Sequence, residues 1–285
     1  EETPSACIEQ AMAFQEAGLP EGVLNILFGV PAEISERLIA SPVIRKISFT
    51  GSVPVGKHLG ALAGGQAKRA TMELGGHAPF IVCDDVDLDS VVKLGVGLKF
   101  RNAGQVCASP TRFYVQDAVY DRFRSAFTEA AKAVKVGPGA ADGTQMGPLA
   151  NARRLDAMQD FVSDAVRHGA RLETGGHRIG NEGFFFEPTV VSDVPDSARI
   201  MRDEPFGPVA ALVRVDTVEE AIERSNALPY GLAAFAVTRS TQRAARLADG
   251  LESGMVSINH FGLAAAETRF GGIRDSGYGS EGGRE

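Results

Sequence analysis

Cys107 lies in Gly104-Gln105-Val106-Cys107, 34 residues after Glu73 in Met72-Glu73-Leu74-Gly75-Gly76. A thiol can attack an electrophilic carbon, and a carboxylate can take a proton from the water that later releases the product. The thiolate is the competent nucleophile, and a free cysteine has a pKa of about 8.5, so a base or a helix N-terminus nearby is useful. Glu73 is the candidate base. Thr71, Met72 and Leu74 make its surroundings apolar, and desolvation there raises a carboxyl pKa towards a working range. Each residue also has a plain structural reading: Cys107 as a buried thiol, Glu73 as a surface or helix-capping carboxylate. Gly104 favours the nucleophile reading of Cys107, because it lets backbone approach closely and sets Cys107 in a loop.

These residues need elements to hold them. Apolar runs alternate with amphipathic stretches along the whole chain. Helices are expected over 5–17, 32–40, 53–63 and 87–100, and strands over 23–28, 44–49 and 79–83. This is the rhythm of a parallel sheet covered by helices, an α/β fold. It recurs later: a strand over 112–116, then a helix with Val119, Phe123 and Phe127 on one face. A second helix carries Leu155, Met158, Phe161, Val162, Ala165 and Val166 on one face and ends at Gly169. Strands follow over 209–213, 234–237 and 255–258, and the glycine-rich tail after Phe270 is expected to be irregular.

Two nucleotide motifs are present in letter only. Gly51-Ser52-Val53-Pro54-Val55-Gly56-Lys57 matches GxxxxGK, but His58 stands where a P-loop needs Ser or Thr for magnesium. Gly277 to Gly282 matches GxGxxG, yet it follows no expected strand and opens no helix. Gly51-Ser52 still sits between a strand and a helix start, where backbone N–H groups attract phosphate. His58, His77, His168, His177 and His260 show no i,i+4 pair and no cysteine cluster, so no metal is expected. There is no G-x-S-x-G elbow for a serine hydrolase.

The 285 residues are 44% hydrophobic, enough for one large or two ordinary domains. A net charge of −7 argues against nucleic acid or an anionic membrane as partner. No apolar run approaches the roughly 18 residues of a membrane span. The acidic start, Glu1-Glu2-Thr3-Pro4, lacks the features of a signal peptide. Three scattered cysteines, Cys7, Cys83 and Cys107, do not make a disulfide framework. A reducing cytoplasm is the expected location.

The stretches around Glu73 and Cys107, together with Ser48-Phe49-Thr50-Gly51-Ser52 and Asp203-Glu204-Pro205-Phe206-Gly207-Pro208, resemble the aldehyde dehydrogenase superfamily. Lys99 to Gln105 and Tyr114 to Asp117 are most similar to its succinate-semialdehyde branch. The resemblance implies oxidation of an aldehyde to an acid with NAD, or with NADP, by a homo-oligomer. It makes Cys107 the nucleophile, Glu73 the base and the Cys107 backbone N–H an oxyanion donor. It sets Gly51, Ser52, Leu74, Glu204 and Phe206 at the cofactor, with Glu204 on the nicotinamide ribose. Counting back from Thr3-Pro4, Glu1 matches the carboxylate that binds the adenine-ribose hydroxyls. Arg101 matches an arginine that pairs with the substrate's distal carboxylate; the alternative is an Arg closing a helix C-terminus. The chain reads as a fragment without the family's ribose-segment lysine, oxyanion Asn, second carboxylate-binding Arg and closing segment. It divides as 1–74, part of a nucleotide-binding domain; 75–259, a catalytic domain; and 260–285, a glycine-rich return. A cofactor-independent cysteine esterase or thioesterase, and an inactive nucleotide-binding remnant, stay open as alternatives.

Overall fold

The computed structural model describes residues 3–283. Its helices are α1 (Pro4–Glu16), α2 (Pro31–Ala40), α3 (Val53–Gly65), α4 (Leu88–Phe100), α5 (Asp117–Lys132), α6 (Ala152–Arg167), α7 (Val218–Asn226) and α8 (Thr241–Gly250). Its strands are β1 (Lys46–Gly51), β2 (Arg69–Leu74), β3 (Ala78–Val82), β4 (Pro110–Gln116), β5 (Arg171–Thr174) and β6 (Thr189–Ser192), followed by β7 (Val209–Val215), β8 (Tyr230–Gly231), β9 (Ala233–Val237), β10 (Met255–Ile258), β11 (Ile273–Arg274) and β12 (Gly277–Tyr278). The chain divides into two compact units: residues up to Ser48 with Lys57–Ala70, and Phe49–Gly56 with everything from Thr71.

In the smaller unit, α1 and α2 each start with proline at the first turn, where its missing N–H loses no bond. The strand expected over 23–28 does not form. Gly22, at φ +82°, turns the chain, Val23 N–H bonds back to Pro20, and the Asn25 amide donates to the Gly22 carbonyl. Val23 and Leu27 are 64% and 67% exposed. Apolar content alone does not make a strand, and among the described residues this segment has no ladder partner.

The larger unit is built on a seven-stranded sheet in the order β10-β9-β3-β4-β7-β6-β5. Every pairing is parallel except β5 with β6. The central strands read as continuous apolar runs because both faces are covered. Phe80 and Phe113 on the sheet stack at 5.1 Å between ring centroids, and Phe113 meets Phe127 of α5 at 5.0 Å. All three rings are fully buried, and each such ring contributes about 1.5–3 kcal/mol of transfer free energy. On α6, Leu155, Met158, Phe161, Val162 and Ala165 face the core as expected, but Val166 is 46% exposed. The turn after α6 uses Gly169 at φ +100°.

The tail is more regular than its composition suggests. β12 pairs antiparallel with β2, Gly277 opposite Glu73 and Tyr278 opposite Met72. β11 pairs with β8. Between them Ser276, fully buried, accepts Gly231 N–H and donates through its hydroxyl to Gly75 O at 2.8 Å. Its carbonyl accepts Leu74 N–H. β2, β5 and β6 are not among the strands expected from the sequence.

Candidate active site

Glu73 is the next-to-last residue of β2 and only 5% exposed. Neither carboxylate oxygen has a hydrogen-bond partner. Burial lifts its carboxyl to about 7, and the charge of Glu281 adds to the shift. An unpartnered buried carboxylate is a destabilising arrangement, and such groups concentrate where chemistry is done.

The two glycines that follow let three groups converge. Gly76 N–H donates to Oε1 of Glu204 at 3.1 Å. A Cβ on Gly75 would stand 2.1 Å from Glu204 Oε2, and one on Gly76 would stand 2.9 Å from the Cys107 carbonyl oxygen. Any side chain here would push the carboxylate or the cysteine loop away.

Cys107 is reached through a tight turn. α4 ends at Phe100, and then Asn102, Ala103 and Gly104 take φ of 51°, 53° and 69° in succession. Two non-glycine residues in the left-handed region cost on the order of 1 kcal/mol each. The neighbours hold them there: the Asn102 amide donates to Gln105 O, and the Gln105 side chain accepts Ala150 N–H at 2.8 Å. A Cβ on Gly104 would lie 2.1 Å from Gly207 O, so the loop also packs on the chain beside Glu204.

Cys107 is half-buried. Burial pushes its thiol up, the backbone N–H groups of Ala108 and Cys107 pull it down, and the charges of Glu204 and Glu73 push it up again. The thiol therefore rests protonated. An ionised Glu73 disfavours the thiolate electrostatically, so it can help only by accepting a proton. The two amides that favour a negative sulfur also form a natural cradle for an oxyanion.

Glu204 lies in the turn ahead of β7. Burial raises its carboxyl to about 7, against the opposing pull of Gly76 N–H, Arg154 and Lys99. Lys99 of α4 is fully buried, with Nζ 3.4 Å from Thr111 Oγ1, and burial lowers its ammonium to about 7. Arg154 of α6 also donates to Pro205 O at 3.2 Å. Phe206 is half-buried and has φ 46°. Leu74 is buried beside Glu73. Gly51 ends β1 and Ser52 precedes the first turn of α3, where the Ser52 carbonyl accepts Gly56 N–H.

The structure thus brings Glu73, Leu74, Cys107 and Glu204 together. Arg101 is exposed and lines a groove with Asp89 and Lys93 of α4 and Ala126 and Ala130 of α5, a groove that Cys107 does not line. Glu1 lies outside the described residues. Ser276, His77, Lys99 and Arg154 support the site but carry no local motif. Among the described residues no group of three or more His, Cys, Asp or Glu could hold a metal. No helix among them is long and apolar enough to cross a membrane.

A carboxylate pinned by one backbone N–H, a glycine whose absent Cβ leaves it room and a second carboxylate with unclaimed oxygens fit a ribose diol and a reacting water. The chain is 48% identical over 285 residues to a putative 4-(hydroxymethyl)benzenesulfonate dehydrogenase of Comamonas testosteroni, covering 100% of this chain and 59% of that protein. It is 45% identical over 280 residues to a mitochondrial succinate-semialdehyde dehydrogenase of Arabidopsis thaliana, covering 98% of this chain and 53% of that one. The crystal structure of succinate-semialdehyde dehydrogenase from Burkholderia pseudomallei superposes with a TM-score of 0.96 at 40% identity, over 98% of this chain and 58% of that one. The chain therefore spans little more than half the length of these relatives. The sequence pattern of the Aldehyde dehydrogenase family matches residues 1–285, and with the converging glutamates and cysteine it follows that this chain belongs to that family.

Proposed function

We propose that the protein containing this chain oxidises an aldehyde to its carboxylic acid with NAD(P), and that this span supplies the nucleophile and the base. The observation that carries the reading is Glu73: buried, unpartnered at both oxygens, and electrostatically coupled to the Cys107 thiol. The Cys107 thiol loses its proton to solvent and the sulfur attacks the aldehyde carbon. The carbonyl oxygen, now negative, lies against the N–H of Cys107. Glu204 would hold the ribose and Phe206 the ring of a nicotinamide, which would supply the hydride acceptor. Loss of hydride leaves Cys107 acylated as a thioester. Glu73 then takes a proton from water, the resulting hydroxide attacks the thioester, and the acid leaves with the thiol restored. Gly51 and Ser52 provide the helix start for the pyrophosphate. Residues 1–74 are read as the remainder of the nucleotide-binding domain.

The substrate we favour carries an anion at its far end, succinate semialdehyde first, held by the guanidinium of Arg101. The support is the place of Arg101 six residues before Cys107 and the names of the relatives. One of those names is a benzenesulfonate, so a sulfonated aldehyde is the second reading; a guanidinium serves either anion. Replacing Cys107 by Ala in the whole enzyme should abolish aldehyde-dependent NADH formation and leave NAD binding near wild type. Substantial turnover in that variant refutes the assignment. Ester or thioester hydrolysis without any NADH formation from aldehydes would instead favour a cofactor-independent hydrolase.

A further inference from the structure

His77 directly follows the Gly75-Gly76 pair and is fully buried at the start of β3. Its Nε2 lies 2.8 Å from the carbonyl oxygen of Ile200, 123 residues on. A carbonyl only accepts, so Nε2 carries the proton and Nδ1 is a bare lone pair, with no partner in the interior. The groups facing the ring explain why that tautomer is comfortable: Arg112 of β4 and Lys99 of α4 are both cationic, and Tyr230 of β8 has its ring centroid 6.2 Å away. Burial and the Arg112 charge hold the imidazole neutral, well below its ordinary value.

The backbone of His77 is fixed as firmly as its ring. The Arg112 guanidinium donates twice to the His77 carbonyl, at 3.1 and 2.7 Å, and bonds the carbonyls of Arg224 and Ser225 near the end of α7. From this anchored position the ring grips Ile200 in the one-turn helix Arg199–Met201, four residues before Glu204. Other ties of that segment are Arg199 N–H to Asp164 Oδ2 at 2.7 Å and Pro205 O to Arg154, both on α6, and a hydrogen bond between Tyr230 of β8 and the Glu204 backbone. The His77 bond and the Gly76–Glu204 bond connect it to the Gly75-Gly76 turn that follows the strand carrying Glu73.

We infer that His77 is a positioning residue: its Nε2–H bond to Ile200 holds the Arg199–Phe206 segment, and with it the Glu204 carboxylate, in register with Gly75-Gly76. This rests on the reading of Glu204 as the ribose ligand. The ring touches no reacting atom and acts only through Glu204. Because it stays neutral, its contribution should not change across the neutral pH range.

The test uses side-chain length. In the whole enzyme, His77→Gln places an amide N–H near the Nε2 position, whereas His77→Asn falls one bond short. NADH affinity, read by fluorescence titration without turnover, should weaken roughly five- to tenfold in His77→Asn. It should return to within about twofold in His77→Gln. In cofactor-free protein, amide exchange at Met201, Arg202 and Asp203, which bond within this turn, should quicken in the Asn variant only. Adding His77→Asn to Glu204→Gln should weaken NADH by less than about twofold further. Wild-type affinity in His77→Asn, equal damage in the Asn and Gln variants, or full additivity with Glu204→Gln would each overturn the inference. If Glu204→Gln alone binds NADH like wild type, the ribose reading fails instead. The exchange measurement, which needs no cofactor, then still decides whether His77 holds the segment.

Discussion

Gly76 and Glu204 are 128 residues apart in sequence, yet the amide of one donates to the carboxylate of the other at 3.1 Å. The adjoining glycine and Gly76 itself each face a different functional group, which makes them separable. Gly75→Ala puts a Cβ 2.1 Å from Glu204 Oε2, and Gly76→Ala puts one 2.9 Å from the Cys107 carbonyl and 3.0 Å from Leu232 Cβ. Overpacking of this kind costs about 1–3 kcal/mol. Gly75→Ala should raise the KM for cofactor while the rate of Cys107 alkylation by iodoacetamide stays near wild type. Gly76→Ala should slow alkylation and lower kcat roughly tenfold or more. Steady-state kinetics and thiol trapping on the two variants decide; identical effects from both would argue against this division of roles.

The Glu73 carboxyl, at about 7 rather than its ordinary 4.5, sets a pH profile. As a base it must be ionised, so thioester hydrolysis should rise about tenfold per pH unit below 7 and level off above it. Glu73→Gln should flatten that rise and turn the reaction into a burst of NADH followed by a slow steady state, seen by stopped flow. A hydride-transfer phase slowed by the same factor, with no burst, would assign Glu73 another task.

The same shift fixes a sign for stability. The folded state holds the Glu73 proton more tightly than the unfolded chain does, so stability is lost as pH rises from 4.5 through about 7. Above that range Glu73→Gln should be more stable than wild type by on the order of 1–3 kcal/mol, and near pH 4.5 the two should converge. Denaturant melts at both pH values test this; a glutamine variant that is less stable at high pH would mean that unseen partners satisfy the carboxylate.

Much of the fold follows from local pattern. The runs that become β4, β7, β9 and β10 are apolar and short, and the helices between them keep one apolar face, so period and length suffice. β2 alternates polar and apolar residues from Arg69 to Leu74, but its partner Gly277-Tyr278 lies some two hundred residues away in a tail that composition marks as irregular. Val23–Phe28 fails in the opposite direction: its residues favour a strand, but a strand exists only with a neighbour. Cys107, Glu73 and Glu204 were legible because each sits in a short motif with glycine or proline. His77, Lys99, Arg154 and Ser276 were not, since their work is done by bonds and charges that join distant segments.

On the proposed reading, cofactor preference turns on Glu1. A carboxylate at the adenine ribose accepts from a 2′-hydroxyl and repels a 2′-phosphate. The whole enzyme should therefore show a kcat/KM for NAD roughly tenfold or more above that for NADP, and Glu1→Ser should narrow the gap. A wild-type ratio favouring NADP removes Glu1 from the site.

On the proposed reading, Arg101 selects the substrate. A distal carboxylate that reaches its guanidinium gains a charge-assisted contact of about 1.5–3 kcal/mol, or roughly ten- to a hundredfold in kcat/KM. Its side chain lines the groove between α4 and α5, and Cys107 does not. Succinate semialdehyde compared with butanal, in wild type and in Arg101→Ala, measures the effect directly. The preference for the acid should be large in wild type and nearly vanish in the variant. A sulfonated aldehyde of similar length serves as the second probe, since a guanidinium pairs with either anion. If wild type does not distinguish the acids from butanal, or if Arg101→Ala keeps the full preference, the anionic substrate reading fails and the selectivity must arise from other residues of the site.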